Sequence, residues 1–146
     1  MTHGIDTDFL VAVEIREHPF HRQADALLQS MLAEGHDVAL APQTLAEFIH
    51  IVTDPKRMPQ PLSMAEAVGR AQHWWQAEEV LRVFPAGPAV TDLLGWLARF
   101  QLGRKRLLDT MLAATFKQAG VKRVVTNNER DFKVFGCFEI VSFHPS

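Results

Sequence analysis

The stretch Gly4-Ile5-Asp6-Thr7-Asp8-Phe9-Leu10 governs how the whole chain is read. Gly4-Ile5-Asp6 is a short strand that breaks into a helix at Thr7 or Asp8. Asp6, Thr7 and Asp8 all suit a helix N-terminus, as caps or as anions favoured by the helix dipole. Phe9, Leu10 and Val13 then supply the apolar face, and His18-Pro19 ends the helix. A strand that turns directly into a helix is half of a βαβ unit, so the next question is whether the pattern repeats.

It does. An amphipathic helix over about 21–32 is closed by Gly35, and residues 38–41 form a buried strand. Pro42 opens a helix at its favoured first-turn position, with Leu45, Phe48, Ile49 and Val52 as a core-facing stripe. Asp54-Pro55 stops that helix. Ser63, with Glu66 three residues on, has capping-box spacing for a helix running to 76 or 79. Further on lie a strand at 80–84, helices at 88–100 and 107–119, a short strand at 124–126 and a last one at 138–143. Such alternation implies an α/β domain with a mainly parallel sheet covered on both faces. In these folds sites form at the carboxyl ends of the strands, which directs attention to Asp6, to the helix carrying Glu47 and to residues 127–131.

Composition agrees with a globular chain. At 146 residues, 47% hydrophobic and 22% charged, it is the size of one domain (1–146, core about 4–143). No apolar run is long enough to span a membrane and nothing resembles a signal peptide, so a cytoplasmic location is expected. The single Cys137 excludes an internal disulfide or a multi-cysteine zinc site; it is expected as a small buried hydrophobe. The net charge of −2 hides an asymmetry. Residues 1–73 carry five basic and ten acidic side chains, whereas 74–146 carry ten basic and seven acidic. Within 99–133 nine Lys or Arg face three acids, which suits either a polyanionic partner or a solvated helix face.

Four acids stand out by position. Asp109 lies in the first turn of a helix, aligned with Leu112, Ala113 and Phe116 on an apolar face. A carboxylate there needs a partner, a metal, or the free N–H groups of the helix start. Asp6 sits on the strand-to-helix turn, as a site residue or as an N-cap. Asp131 is in a polar loop after a strand, where turn aspartates are common. Glu47 falls opposite the stripe of its helix and reads as a surface residue.

Taken together and in order, these pieces resemble the PIN-domain nucleases, especially the VapC-type toxins of bacterial toxin–antitoxin pairs. The matching segments are Ile5-Asp6-Thr7-Asp8-Phe9-Leu10, Leu45-Ala46-Glu47-Phe48, Leu108-Asp109-Thr110-Met111-Leu112-Ala113-Ala114 and Thr126-Asn127-Asn128-Glu129-Arg130-Asp131-Phe132. The resemblance implies a three-layer α/β/α PIN-like domain in which Asp6, Glu47, Asp109 and Asp131 converge. It further implies orienting hydrogen bonds from Thr7 and from Asn128 or Thr126. Where the family often has Asn or Ser, this chain has Asp8, read as a helix-start residue rather than an outer acid.

The implied activity is metal-dependent endoribonuclease cleavage with Mg²⁺ or Mn²⁺, on an RNA substrate. Hard oxygen donors suit such ions, and several carboxylates in one pocket repel without one. Asp6, Asp109 and Asp131 would ligate, with Glu47 completing the second position or orienting water. Arg104, Lys105 and Arg106 would meet RNA phosphates or simply form a solvated helix entry. A VapB-type antitoxin and a homodimer are the implied partners. The alternatives are a non-catalytic PIN-like module binding RNA or a partner, and a haloacid-dehalogenase-like phosphatase mimicked by Asp6-Thr7-Asp8. The latter lacks the later acidic pair that such a phosphatase needs. The seven histidines show no HxxxH or HExxH spacing, and Trp74, Trp75 and Trp96 are expected in the core or at a subunit interface.

Overall fold

The computed structural model describes residues 1–145, and its architecture follows from five short strands that all run the same way. In chain order they are β1 (Thr2–Ile5), β2 (Asp37–Leu40), β3 (Val80–Arg82), β4 (Arg123–Val125) and β5 (Glu139–Val141). Their order across the sheet is β3-β2-β1-β4-β5, and every pairing is parallel. The chain therefore builds outward from β1 in one direction, then crosses back and builds outward in the other. The reversal leaves a crevice between β1 and β4, beyond their carboxyl ends.

Among the described residues seven α-helices cover the two faces. Helices α1 (Thr7–Glu14), α2 (His21–Ala33), α3 (Pro42–Val52) and α4 (Met64–Gln76) share one core with Ile5, Val38, Leu40 and Val125. Helices α5 (Gly87–Arg99), α6 (Leu107–Gln118) and α7 (Glu129–Lys133) share the other with Ala39, Ala41 and Val124. Alternate residues of the same strands thus serve opposite faces, as the pleat requires. Phe9 and Phe48 on one side, and Phe116 and Phe132 on the other, are fully buried. Each such side chain contributes roughly 1.5–3 kcal/mol of hydrophobic stabilisation.

Local chemistry explains most boundaries. Asp6 is the N-cap of α1, and Pro42 occupies the first turn of α3. Ser63 and Glu66 close the expected capping box at the start of α4, each side chain accepting from the other's backbone N–H at 3.1 Å. Some expectations are corrected. Strand β3 stops at Arg82 rather than 84, because its neighbour β2 ends at Leu40 before Pro42 starts a helix; Phe84 is exposed. The loop after β4 coils into α7. Strand β5 is limited to the three residues that β4 can pair. Cys137 is exposed rather than buried, since it follows the left-handed turn at Gly136 (φ 71°). Among the described residues no helix is long and apolar enough to cross a membrane.

One close approach fixes where α6 sits. A Cβ on Gly4 would lie 2.8 Å from the Phe116 ring, so β1 and α6 touch only because residue 4 has no side chain. Gly4 pairs with Ala39 and Val124, whose small or slim side chains complete the seat for the ring. Gly4→Ala is expected to cost about 1–3 kcal/mol of stability by overpacking, read by urea unfolding. Phe116→Leu should recover part of that loss in the double variant, and full additivity of the two changes would show that the contact does not matter.

Candidate functional site

The crevice between β1 and β4 is where the acids gather. Asp6 leaves β1 with its N–H donating to the Val125 carbonyl of β4 (3.2 Å), so its side chain rises at the strand ends. It is only 4% exposed. One carboxylate oxygen accepts from the Thr7 N–H at 2.8 Å, and the other from the fully buried Thr126 hydroxyl at 2.9 Å. Thr126 in turn accepts from the Asn128 N–H at 2.9 Å, which points its single proton toward Asp6. Thr7 and Thr126 therefore each hydrogen-bond to acids at the strand ends. Asn128 acts through its backbone.

Asp8 takes a larger part than a helix-start residue. Its Oδ2 accepts from the Asn127 N–H at 2.9 Å and lies 3.4 Å from the Thr126 hydroxyl. Its Oδ1 is buried with no hydrogen-bond partner among the described residues. Glu47 also departs from its helical-wheel reading. Thr44, Phe48 and Val52 are the fully buried residues of α3, while Leu45 and Ile49 are only partly buried. That rotation brings Glu47 inward, and its Oε2 accepts from the Thr7 hydroxyl at 3.1 Å.

Asp109 and Asp131 come from the other layer. Asp109 lies two turns before Phe116 on α6, so the ring seated on Gly4 sets its carboxylate at the end of the sheet. Asp131, on α7, lies close enough to Asp109 for its charge to disfavour the ionised form of Asp109. Arg106, in a 3-10 turn spanning Arg104–Arg106, places its Nη1 3.5 Å from Asp131 Oδ1 and donates from Nη2 to the Asp131 carbonyl. Arg104 and Lys105 remain exposed. The structure thus brings Asp6, Asp8, Glu47, Asp109 and Asp131 to one end of the sheet, with Arg106 beside them. The sequence reading missed the Arg106–Asp131 pair and the inward role of Asp8. Aspartate where the family often has Asn or Ser was the one available signal.

The electrostatics reflect crowding. Burial pushes Asp6 up to about 8, and the charges of Asp8 and Asp109 push the same way against the Thr126 and Thr7 hydrogen bonds. Burial likewise raises Asp8 to about 6, opposed first by the Asn127 N–H. Asp109 rises to about 6 through burial, then through Asp131 and Glu47, with Arg106 opposing. A buried carboxylate flanked by like charges is stable only when protonated or neutralised. Among the described residues, however, no group of three or more His, Cys, Asp or Glu side chains is arranged so that it could hold a metal ion.

The PIN domain family model matches residues 5–136. The chain belongs to the PIN-domain family. It is related to VapC-type toxins: it is 28% identical over 133 residues to Ribonuclease VapC24 of Mycobacterium tuberculosis, covering 91% of this chain and 90% of that one. Among solved structures, the sarcin-ricin loop cleaving toxin VapC20 of Mycobacterium tuberculosis superposes with a TM-score of 0.72 at 18% identity, covering 95% and 98% of the two chains. The VapBC2 complex of Rickettsia felis, bound to a DNA fragment from its promoter, gives 0.70 at 13%, covering 99% and 100%. At such identities these two matches speak for the PIN fold alone. Family membership leaves the phosphatase alternative without footing, and it accords with the three-layer PIN-like architecture.

The raised acids give a stability test in metal-free buffer. A carboxyl group whose folded value exceeds its unfolded value stabilises the fold below the unfolded value, and that contribution is lost as pH rises through the folded one. His3 and His18 are lowered by burial, so they contribute oppositely, and their effect is complete once pH passes the ordinary histidine value. Between about pH 7 and 8.5, Asp6 is left as the main titrating group. Stability in EDTA is expected to fall across that window, and Asp6→Asn should flatten the fall; chemical denaturation at each pH measures both.

Proposed function

We propose that this PIN-domain protein is a metal-dependent endoribonuclease, the toxin of a toxin–antitoxin pair. The observation that carries the reading is the convergence of five carboxylates at the β1–β4 crevice, three of them held above their ordinary range. In donor chemistry, though not in the spacing they have here, the residues suit a hard divalent cation such as Mg²⁺ or Mn²⁺ on two grounds. Their donors are all carboxylate oxygens, and the buried Asp8 Oδ1 has no partner among the described residues. Asp6, Asp109 and Asp131 would hold the ion, with Glu47 completing the set. A bound divalent cation supplies charge for the phosphodiester and lowers the pKa of water.

The chain's own residues do the rest. Thr126 and the Thr7 N–H hold the Asp6 carboxylate so that its charge faces the crevice. Thr7 fixes one Glu47 oxygen, leaving the other to accept a proton from the attacking water. Asp109, half-buried at the start of α6, keeps its charge next to where the phosphate must approach. Arg104 and Lys105, exposed just before α6, screen the RNA backbone as it enters.

A second reading has its own observation. The acids are not arranged to hold an ion among the described residues, which favours a non-catalytic module that binds RNA or a protein. A cleft of about 380 Å³ between α1, α2 and α4, lined in part by Val13, Leu28, Leu32 and Trp74, supports docking of a VapB-type antitoxin under either reading. Exposed Phe84, Val90 and Leu94 support a homodimer.

Asp109→Asn separates the readings. RNA cleavage by the wild-type chain is expected to need Mg²⁺ or Mn²⁺ and to stop in EDTA. The variant should lose about 100-fold or more, beyond the effect of disturbing an outer partner. Cleavage that survives Asp109→Asn undiminished defeats the mechanism, and a wild-type chain that binds RNA without cutting it establishes the binding module.

A further inference from the structure

The acid cluster contains its own cation. Among the described residues Arg106 is the one basic side chain within ion-pair distance of any of the five acids. Arg104 and Lys105 point to solvent, Arg130 is exposed, and Lys133 pairs with Glu129 outside the crevice. Arg106 holds Asp131 in two ways that can be separated. Its Nη2 donates to the Asp131 backbone carbonyl, which anchors α7. Its Nη1 lies 3.5 Å from the carboxylate oxygen Oδ1, long for a direct hydrogen bond. The two side chains are 22% and 31% exposed, so water screens their attraction. The carboxylate can therefore turn away while the helix stays in place. The Arg106 Nε–H, meanwhile, is buried with no acceptor among the described residues, so the guanidinium is only partly satisfied where it lies.

We propose that Arg106 is an exchangeable counter-ion, a positioning residue that neutralises Asp131 in the ion-free protein and yields that carboxylate to a divalent cation. The inference rests on the metal-dependent reading above and deepens it. A guanidinium brings one diffuse charge at 3.5 Å. A hard divalent ion such as Mg²⁺ would bring two charges and a closer approach to carboxylate oxygen than a guanidinium makes, and so would win the exchange when present. In its absence, Arg106 offsets the charge of Asp131 from within ion-pair distance. The cost is direct: every ion that enters must displace a cation already there.

The test is Mn²⁺ binding in the absence of RNA, by calorimetry, with the wild-type chain, Arg106→Gln, Arg106→Lys and Asp109→Asn. Arg106→Gln is expected to bind Mn²⁺ about two- to tenfold more tightly, and Arg106→Lys to stay near wild type. The melting temperature of Arg106→Gln should be lower in EDTA and should rise more on adding Mn²⁺. Should Arg106→Gln fail to fold, the wild-type protein still decides: on Mg²⁺ addition, the NMR signal of the Arg106 Nε–H should shift as the guanidinium is released. Mn²⁺ binding that Asp109→Asn abolishes but Arg106→Gln leaves equal or weaker overturns this inference alone, as does an unmoved Nε–H signal. A wild-type chain that binds no Mn²⁺ overturns it together with the metal-dependent reading.

Discussion

Asp6 is a carboxylate buried at the one place where a doubly wound sheet opens, and the rest of the site is arranged around that fact. Its backbone is tied to Val125 and its side chain to Thr126, so β1 and β4 are joined at their carboxyl ends by the same residue. Removing an anion from water is costly unless hydrogen bonds or an opposite charge replace the lost solvation. Two hydrogen bonds replace part of it. The neighbouring acids take some of that back, and Asp6 is pushed toward its protonated form.

Packing determines which acids share this position. Gly4 admits the Phe116 ring against β1, and the helical repeat then carries Asp109 to the sheet end. A rotation of α3 that buries Thr44 beside Phe48 and Val52 turns Glu47 toward Thr7. Arg106 draws α7 in through a backbone carbonyl and so delivers Asp131. Glu47, Asp109 and Asp131 each arrive on a different helix, and each is placed by an apolar contact or a backbone hydrogen bond, not by attraction to the other acids. Scaffold energy holds like charges together, a balance typical of functional sites.

Much of this was legible in the chain. The Gly4–Leu10 stretch announced a βα unit, and Ser63 with Glu66 marked a helix start where the capping box is found. Asp109 above Leu112, Ala113 and Phe116 was visibly a carboxylate on an apolar face, and all three neighbours are buried. Glu47 was misread because a helical wheel weighs only apolar side chains, and the buried face of α3 is centred on a threonine. Asp8 stands in the first turn of α1 as read, but nothing local reveals that Asn127, 119 residues later, donates to it. Short edge strands were over-extended because their length depends on the partner strand.

The sequence by itself determined the alternation of strands and helices, the helix starts, the split of charge between the halves and the PIN-like set of acids in order. Those are properties of near neighbours along the chain, where spacing and side-chain type suffice. Only the tertiary structure decided the strand order, the crevice between β1 and β4, and the pairing of Thr126 with Asp6 and of Arg106 with Asp131. These depend on contacts across tens of residues, and such contacts exist only once packing has brought the elements together. Whether a carboxylate is a cap, a surface group or part of a site is settled by what else is buried beside it.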